Sequence, residues 1–313
     1  MPCVHPLTAW RGEWKDNGKR EIIFDRSKCK KIQPEEIKLP CGQCVGCRLE
    51  RSRQWAMRCV HEASLHKENM FLTLTYDKDH LPASQSLVLE DFQKFMKRYR
   101  RYANVPLRFF HCGEYGEITF RPHYHSCIFG HSFDDKILWA TKNGNRLYTS
   151  RALNLLWGKG YCIIGDVTFD SAAYVARYIM KKITGEKAEE HYKGRKPEYV
   201  TMSRRPGIGK GWYDKWKEDI YPHDYVIING KKVHPSKYYD AIYEKESPGS
   251  YLTMKENRLN KIKHEYEKYE LLMGHIDLIV NNSEENLAAK EYVLKQKLKQ
   301  NRREPENYLG GSL

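Results

Sequence analysis

Apolar and polar positions change their period several times along the chain, and each change marks an element. "MFLTLTYD" (residues 70–77) is rich in β-branched and aromatic residues and predicts a buried strand ending at Asp77. In "SLVLEDFQKFMKRYRRYA", Leu89, Phe92, Phe95, Met96 and Tyr99 recur at helical spacing, leaving a basic outer face. "PLRFFHCGEYG" predicts a strand running into a turn, and "RPHYHSCIFG" a second strand that pairs antiparallel with it. "GKGYCIIGDVTF" predicts a further strand, followed by a helix over "DSAAYVARYIMKKI" with Asp170 or Ser171 as its N-cap. Upstream, "PCGQCVGCRLERSRQWAMRCVHEASLH" passes from a Gly/Cys turn into a half-buried helix, with Arg48, Arg51, Arg53 and Arg58 on its exposed face. Strands and helices mix without strict βαβ alternation, which predicts an α+β fold with a central antiparallel sheet flanked by helices.

Three regions follow: a Cys-rich segment with a basic helix (1–69), a core (70–186), and a basic, helix-rich remainder (187–313). The last contains the loop "RKPEYVTMSRRPGIGKGW" and charged helices around 251–273 and 283–303. Leu259, Ile262, Tyr266 and Tyr269 form a stripe on the first of these, suited to packing on the core or on a second subunit. No internal repeat is visible.

Charge adds a partner to this picture. Fifty-four Lys and Arg against 40 Asp and Glu give a formal charge of +14, which favours a polyanion such as nucleic acid. The 22 tyrosines and 7 tryptophans suit base stacking as well as core packing. Neither a signal peptide nor a run of 18 apolar residues is present, so a cytoplasmic protein with no membrane contact is expected. Nine cysteines in such a compartment predict thiols or metal ligands over disulfides.

On a strand, His123 and His125 point the same way and Tyr124 the other. An isolated H-x-H is most simply two half-buried histidines bonded to carbonyls; a third ligand changes that reading. Glu114, at the end of the neighbouring strand, supplies one, with Glu117 in the turn as its competitor. Two imidazoles and a carboxylate leave open positions on a divalent ion, Mn²⁺ by affinity or Mg²⁺ by abundance. In "YVARYIMKK", Tyr174 and Tyr178 lie one helical turn apart, about 6 Å along the axis. Arg177 and Lys181 share their side of the helix, which fits a phosphate-lined location better than an apolar core. A phenol, with a reference pKa near 10, needs such charge to act as a nucleophile at neutral pH.

In order, "FLTLTYD", "CGEYG", "RPHYH" and "YVARYIMKK" resemble the motifs of the HUH endonucleases, specifically the rolling-circle replication initiators of Microviridae of the gokushovirus type. The cysteine segment and the "RRPGIG" loop are also similar, so the resemblance reaches from residue 1 to about 215. It implies an HUH core and a metal-dependent single-strand endonuclease and ligase. Such an enzyme nicks one strand of the double-stranded replicative form at the origin and stays on the 5′ end as a phosphotyrosine. The freed 3′ hydroxyl primes synthesis, and the displaced single-stranded circle is later rejoined. On that pattern His123 and His125 are the HUH pair, Glu114 is the acidic ligand, Tyr174 and Tyr178 are the nucleophiles, and Lys181 follows the second tyrosine. Arg177, Lys182 and Arg121 are the expected DNA-binding cations. Arg177 is a departure, since related initiators can carry lysine there; it keeps the charge but replaces a point charge with a planar fork. Host helicase and polymerase are the expected partners, in the cytoplasm of a bacterial host.

Two motifs stand apart from that core. Cys41, Cys44 and Cys47 form a double C-x-x-C that supplies three ligands to a structural zinc, with Cys29, Cys3, His5 or Cys59 as the fourth; Cys29 is the first choice. "GIGKG" (207–211) lacks the G-x-x-x-x-G-K-[ST] pattern of a phosphate loop and is read as a basic loop touching DNA. The rival reading from another class is a non-enzymatic, zinc-containing nucleic-acid-binding or packaging protein.

Overall fold

The computed structural model of the chain describes residues 3–16, 20–30, 34–116, 119–142, 144–181, 187–273 and 284–300. The chain divides into two compact units. In the larger, residues 52–261, seven strands form one sheet: β4 (Asn69–Tyr76), β5 (Arg108–Tyr115), β6 (Pro122–Phe129), β7 (Ile137–Lys142), β8 (Asn145–Thr149), β9 (Gly160–Gly165) and β10 (Tyr199–Met202). Their order is β10-β5-β6-β4-β9-β8-β7, every pairing antiparallel. With helices on both faces, this is an α+β fold of the kind expected for an HUH core.

The period-2 pattern of the central strands sorts their side chains between two cores. On one face Leu72, Leu74, Tyr124 and Ile128 pack against Phe92, Phe95, Met96 and Tyr99 of α2 (Leu89–Ala103) and Leu153 and Trp157 of α3 (Arg151–Trp157). On the other, Phe110, Cys112, Cys127 and Phe129 pack against Ala172, Val175 and Ala176 of α4 (Phe169–Lys181) and Ala56 and Cys59 of α1 (Val45–Ala63). The second face carries the site. Beyond these lie α5 (Lys187–Tyr192), α6 (Lys210–His223), the ribbon β11 (Val226–Ile228) and β12 (Lys231–Val233), α7 (Lys237–Glu246) and α8 (Pro248–Met273). A third core gathers Met57, Tyr213, Tyr221, Tyr239 and Met254 there, and Arg258 forks between Asp224 and Asp240 at 2.6–2.8 Å.

Two local expectations are corrected. The N-cap of α4 is Thr168: its Oγ1 accepts from the Ser171 amide at 3.1 Å and its own amide donates to Ser171 Oγ at 2.8 Å, a reciprocal box that starts the helix ahead of Asp170 and Ser171. Arg58 is buried instead of lying on an exposed face, because its guanidinium is held between the Trp55 and Tyr238 rings at 3.9 and 3.7 Å. Leu259 and Ile262 are exposed, so these two do not pack on the core, which leaves the second-subunit alternative as it stood; the side chains of Tyr266 and Tyr269 lie outside the description.

The smaller unit comprises residues up to 51 and 262–303. It holds a three-stranded sheet, β2-β1-β3, of β1 (Leu7–Trp14), β2 (Arg20–Ile23) and β3 (Glu36–Leu39), together with a helix over Glu284–Gln300.

Candidate active site

The β5–β6 ladder sets Glu114 opposite His123, and the β4–β6 ladder sets Thr73 opposite His125. Because residues two apart share a face, these registers converge three side chains on one spot. Glu114 Oε1 lies 2.9 Å from His123 Nε2 and 2.5 Å from His125 Nε2. All three groups offer donor atoms within 4.8 Å of one another, and Glu114 and His125 are almost wholly buried. Glu117, the competing acid, lies outside the described residues.

Each imidazole is oriented from behind. His123 Nδ1 donates to the Arg121 carbonyl at 3.0 Å, which turns Nε2 toward the cluster. His125 Nδ1 meets Thr73 Oγ1 at 3.0 Å, and the His125 ring stacks on Phe71. Thr73 and Phe71 were not singled out from sequence, although both lie on the same face of "FLTLTYD". Burial pushes the Glu114 carboxyl up, but the charges and hydrogen bonds of His125 and His123 override it and hold the group at about 2. Its second oxygen, Oε2, is buried with no hydrogen-bond partner among the described residues. An ionised buried carboxylate with an orphaned oxygen, next to two imidazole nitrogens, fits a divalent cation.

Helix α4 lies over this face of the sheet. Tyr174 donates from its hydroxyl to Glu114 Oε1 at 3.3 Å and sets its ring edge-on to His125 at 5.1 Å between centroids. The Arg177 guanidinium is 5.8 Å from the Tyr174 ring centroid. Tyr178 and Lys181 lie on α4, but their side chains are outside the description, as is Lys182 altogether. Arg121 turns toward β4 and donates to the Tyr76 carbonyl at 2.6 Å.

In the smaller unit the thiols of Cys3, Cys41, Cys44 and Cys47 form a second cluster, again within 4.8 Å of one another. Cys29, the expected fourth member, is not among them. The pairing Leu7↔Leu39 brings residues before β1 next to those after β3, while Cys29 lies in the β2–β3 connection directly after the short helical turn Arg26–Lys28. Cys59 is buried in the larger unit beside Cys127.

A family model for the replication-associated protein ORF2/G2P matches residues 69–183. The replication-associated protein VP4 of Bdellovibrio phage phiMH2K is 36% identical over 262 residues, covering 80% of this chain and 80% of that protein. The replication-associated protein ORF2 of Spiroplasma virus 4 is 35% identical over 268 residues, covering 79% of this chain and 81% of its own. No solved structure matches the chain.

Proposed function

The chain belongs to the family of phage replication-associated proteins, and from that premise we propose that it initiates rolling-circle replication by nicking one DNA strand at the phage origin through a tyrosine. The observation that carries this reading is the convergence of the Tyr174 hydroxyl, Glu114, His123 and His125 on one face of the sheet.

His123 and His125, through Nε2, and the Glu114 carboxylate would hold Mg²⁺ or Mn²⁺. When bound, that ion supplies Lewis acidity and countercharge to a phosphoryl oxygen. The protein does the rest by position. Tyr174 Oη bonds to phosphorus as the P–O3′ bond breaks; the phenolic proton is lost, the departing 3′ oxygen gains one, and the 5′ phosphate stays on the enzyme. The bond to Glu114 orients Oη toward the cluster, and Arg177 offers positive charge beside the phenol. Since one phosphoester replaces another, the step is reversible, and Tyr178, one turn further along α4, is assigned the second transfer that rejoins the circle. DNA unwinding and synthesis are assigned to host helicase and polymerase.

The test is incubation with labelled single-stranded oligonucleotides carrying candidate origin sequences, with Mn²⁺ or EDTA, followed by a denaturing gel and peptide mapping. The expected result is a metal-dependent covalent adduct on the peptide holding Tyr174 and Tyr178. Tight binding with no adduct on any origin, or an adduct retained when both tyrosines are phenylalanine, would sink the reading.

A further inference from the structure

We propose that Cys3, Cys41, Cys44 and Cys47 bind one zinc ion as a tetrathiolate, and that this ion replaces a hydrophobic core in the smaller unit. The thiols are gathered as such a site requires. Cys44 Sγ lies 3.9 Å from Cys3 Sγ, against about 3.8 Å for two sulfurs at tetrahedral angles on Zn–S bonds of about 2.3 Å. That separation is far beyond a disulfide bond, and all four are free thiols.

Backbone amides are aimed at the sulfurs. The Cys44 amide donates to Cys41 Sγ at 3.2 Å, the Cys41 amide to Cys3 Sγ at 3.4 Å, and the amides of Val4 and Cys47 to Cys44 Sγ at 3.4 and 3.5 Å. A neutral thiol is a weak acceptor, whereas a metal-bound thiolate carries charge that such donors satisfy. The turns Cys41–Cys44 and Cys44–Cys47 thus point three sulfurs and their amide donors inward. Binding displaces the remaining thiol protons to water.

The ion also answers a deficit in the unit's interior. Among the described residues of 3–51 the buried apolar side chains are Cys3, Val4, Ala9 and Cys44, so the interior there is made largely of the ligands themselves. Val45 and Leu294 pack against that cluster. A segment of this size with so few buried carbons needs a cross-link, and a structural zinc supplies folding free energy directly. Four thiolates and no open position make it a closed site with no catalytic role. Neither alternative joins the cluster: Cys29 is not among the thiols gathered there, and His5 has its Nε2 2.9 Å from Glu291.

The full-length protein, purified without chelator, is to be analysed for metal by mass spectrometry. About one zinc per chain is expected. It should be retained in His123→Ala/His125→Ala and in Cys29→Ser, and reduced severalfold in Cys3→Ser. Should Cys3→Ser fail to fold, titration of the wild type with a mercurial is the second measurement, with zinc released in step with the four thiols. Limited proteolysis with and without a zinc chelator completes the set, with new cleavage expected between residues 7 and 40 after chelation. Absence of zinc, iron in its place, a Cys3–Cys44 disulfide, loss of zinc with Cys29→Ser, or an unchanged cleavage pattern after chelation would overturn the proposal. Metal content is read independently of nicking, so failure here leaves the tyrosine chemistry untouched, and the reverse.

Discussion

At the scale of single residues, the proposed metal site depends on the hydrogen bonds that orient its candidate ligands. Thr73 holds His125 through its ring Nδ1, and valine would keep its shape and strand preference while deleting the hydroxyl. Thr73→Val should raise the Mn²⁺ concentration for half-maximal adduct formation by about 10–100-fold, with the rate at saturating metal largely restored. An equal loss at all metal concentrations would argue against an orienting role. A second residue makes stability depend on pH. His61 is buried, stacked on Trp212 at 3.5 Å and bonded to Tyr239 Oη at 3.0 Å, and burial lowers its pKa to about 3. Because the folded value lies below the ordinary value near 6.5, its contribution is intact above pH 6.5 and is lost as the pH falls toward 3. In urea unfolding, the drop in stability between pH 7 and pH 5 should be smaller in His61→Phe than in the wild type by about 2 kcal/mol.

Among the elements, the loop over 203–209 shows how a flexible composition becomes a rigid display. Glu62 Oε2 accepts from the Gly209 amide at 2.7 Å, its other oxygen is paired with Arg108, and Arg58 donates to the Ile208 carbonyl at 2.9 Å. Gly209 has φ +80°, and a Cβ there would sit 2.4 Å from the hydroxyl of buried Tyr239. Gly144, at φ +76°, faces open space. Gly209→Ala should therefore lower the thermal midpoint clearly more than Gly144→Ala, which bears backbone strain alone, with a difference above about 1 kcal/mol. Equal effects would mean that the Tyr239 approach relaxes freely. The anchoring leaves Arg204 and Arg205 exposed at the end of β10, the edge strand beside β5.

For the whole molecule, an excess of 14 positive charges predicts binding governed by counterion release. For a single strand the slope of log K against log salt should be about −3 or steeper, corresponding to four or more phosphates. Replacing both Arg204 and Arg205 by glutamine should flatten it by about 1.4 if each meets one phosphate. An unchanged slope would remove the loop from the DNA path. Among the described residues no helix is long and apolar enough to cross a membrane. Much of this architecture was legible in the chain. Periodicity alone located the strands of the sheet's centre, the helices α2 and α4, and the shared face of His123 and His125, because these depend on backbone geometry within a few residues. The resemblance extended that to the family. What required the folded molecule were partners far apart in sequence: Thr73 behind His125 across 52 residues, Tyr174 reaching Glu114 across 60, and Cys3 taking the place expected of Cys29. The same holds for Arg58, polar by type yet buried because two rings from distant segments enclose its guanidinium. Local propensity states which way a side chain points; strand register and the packing of helices on the sheet, set by cooperative burial over the whole domain, decide what it meets.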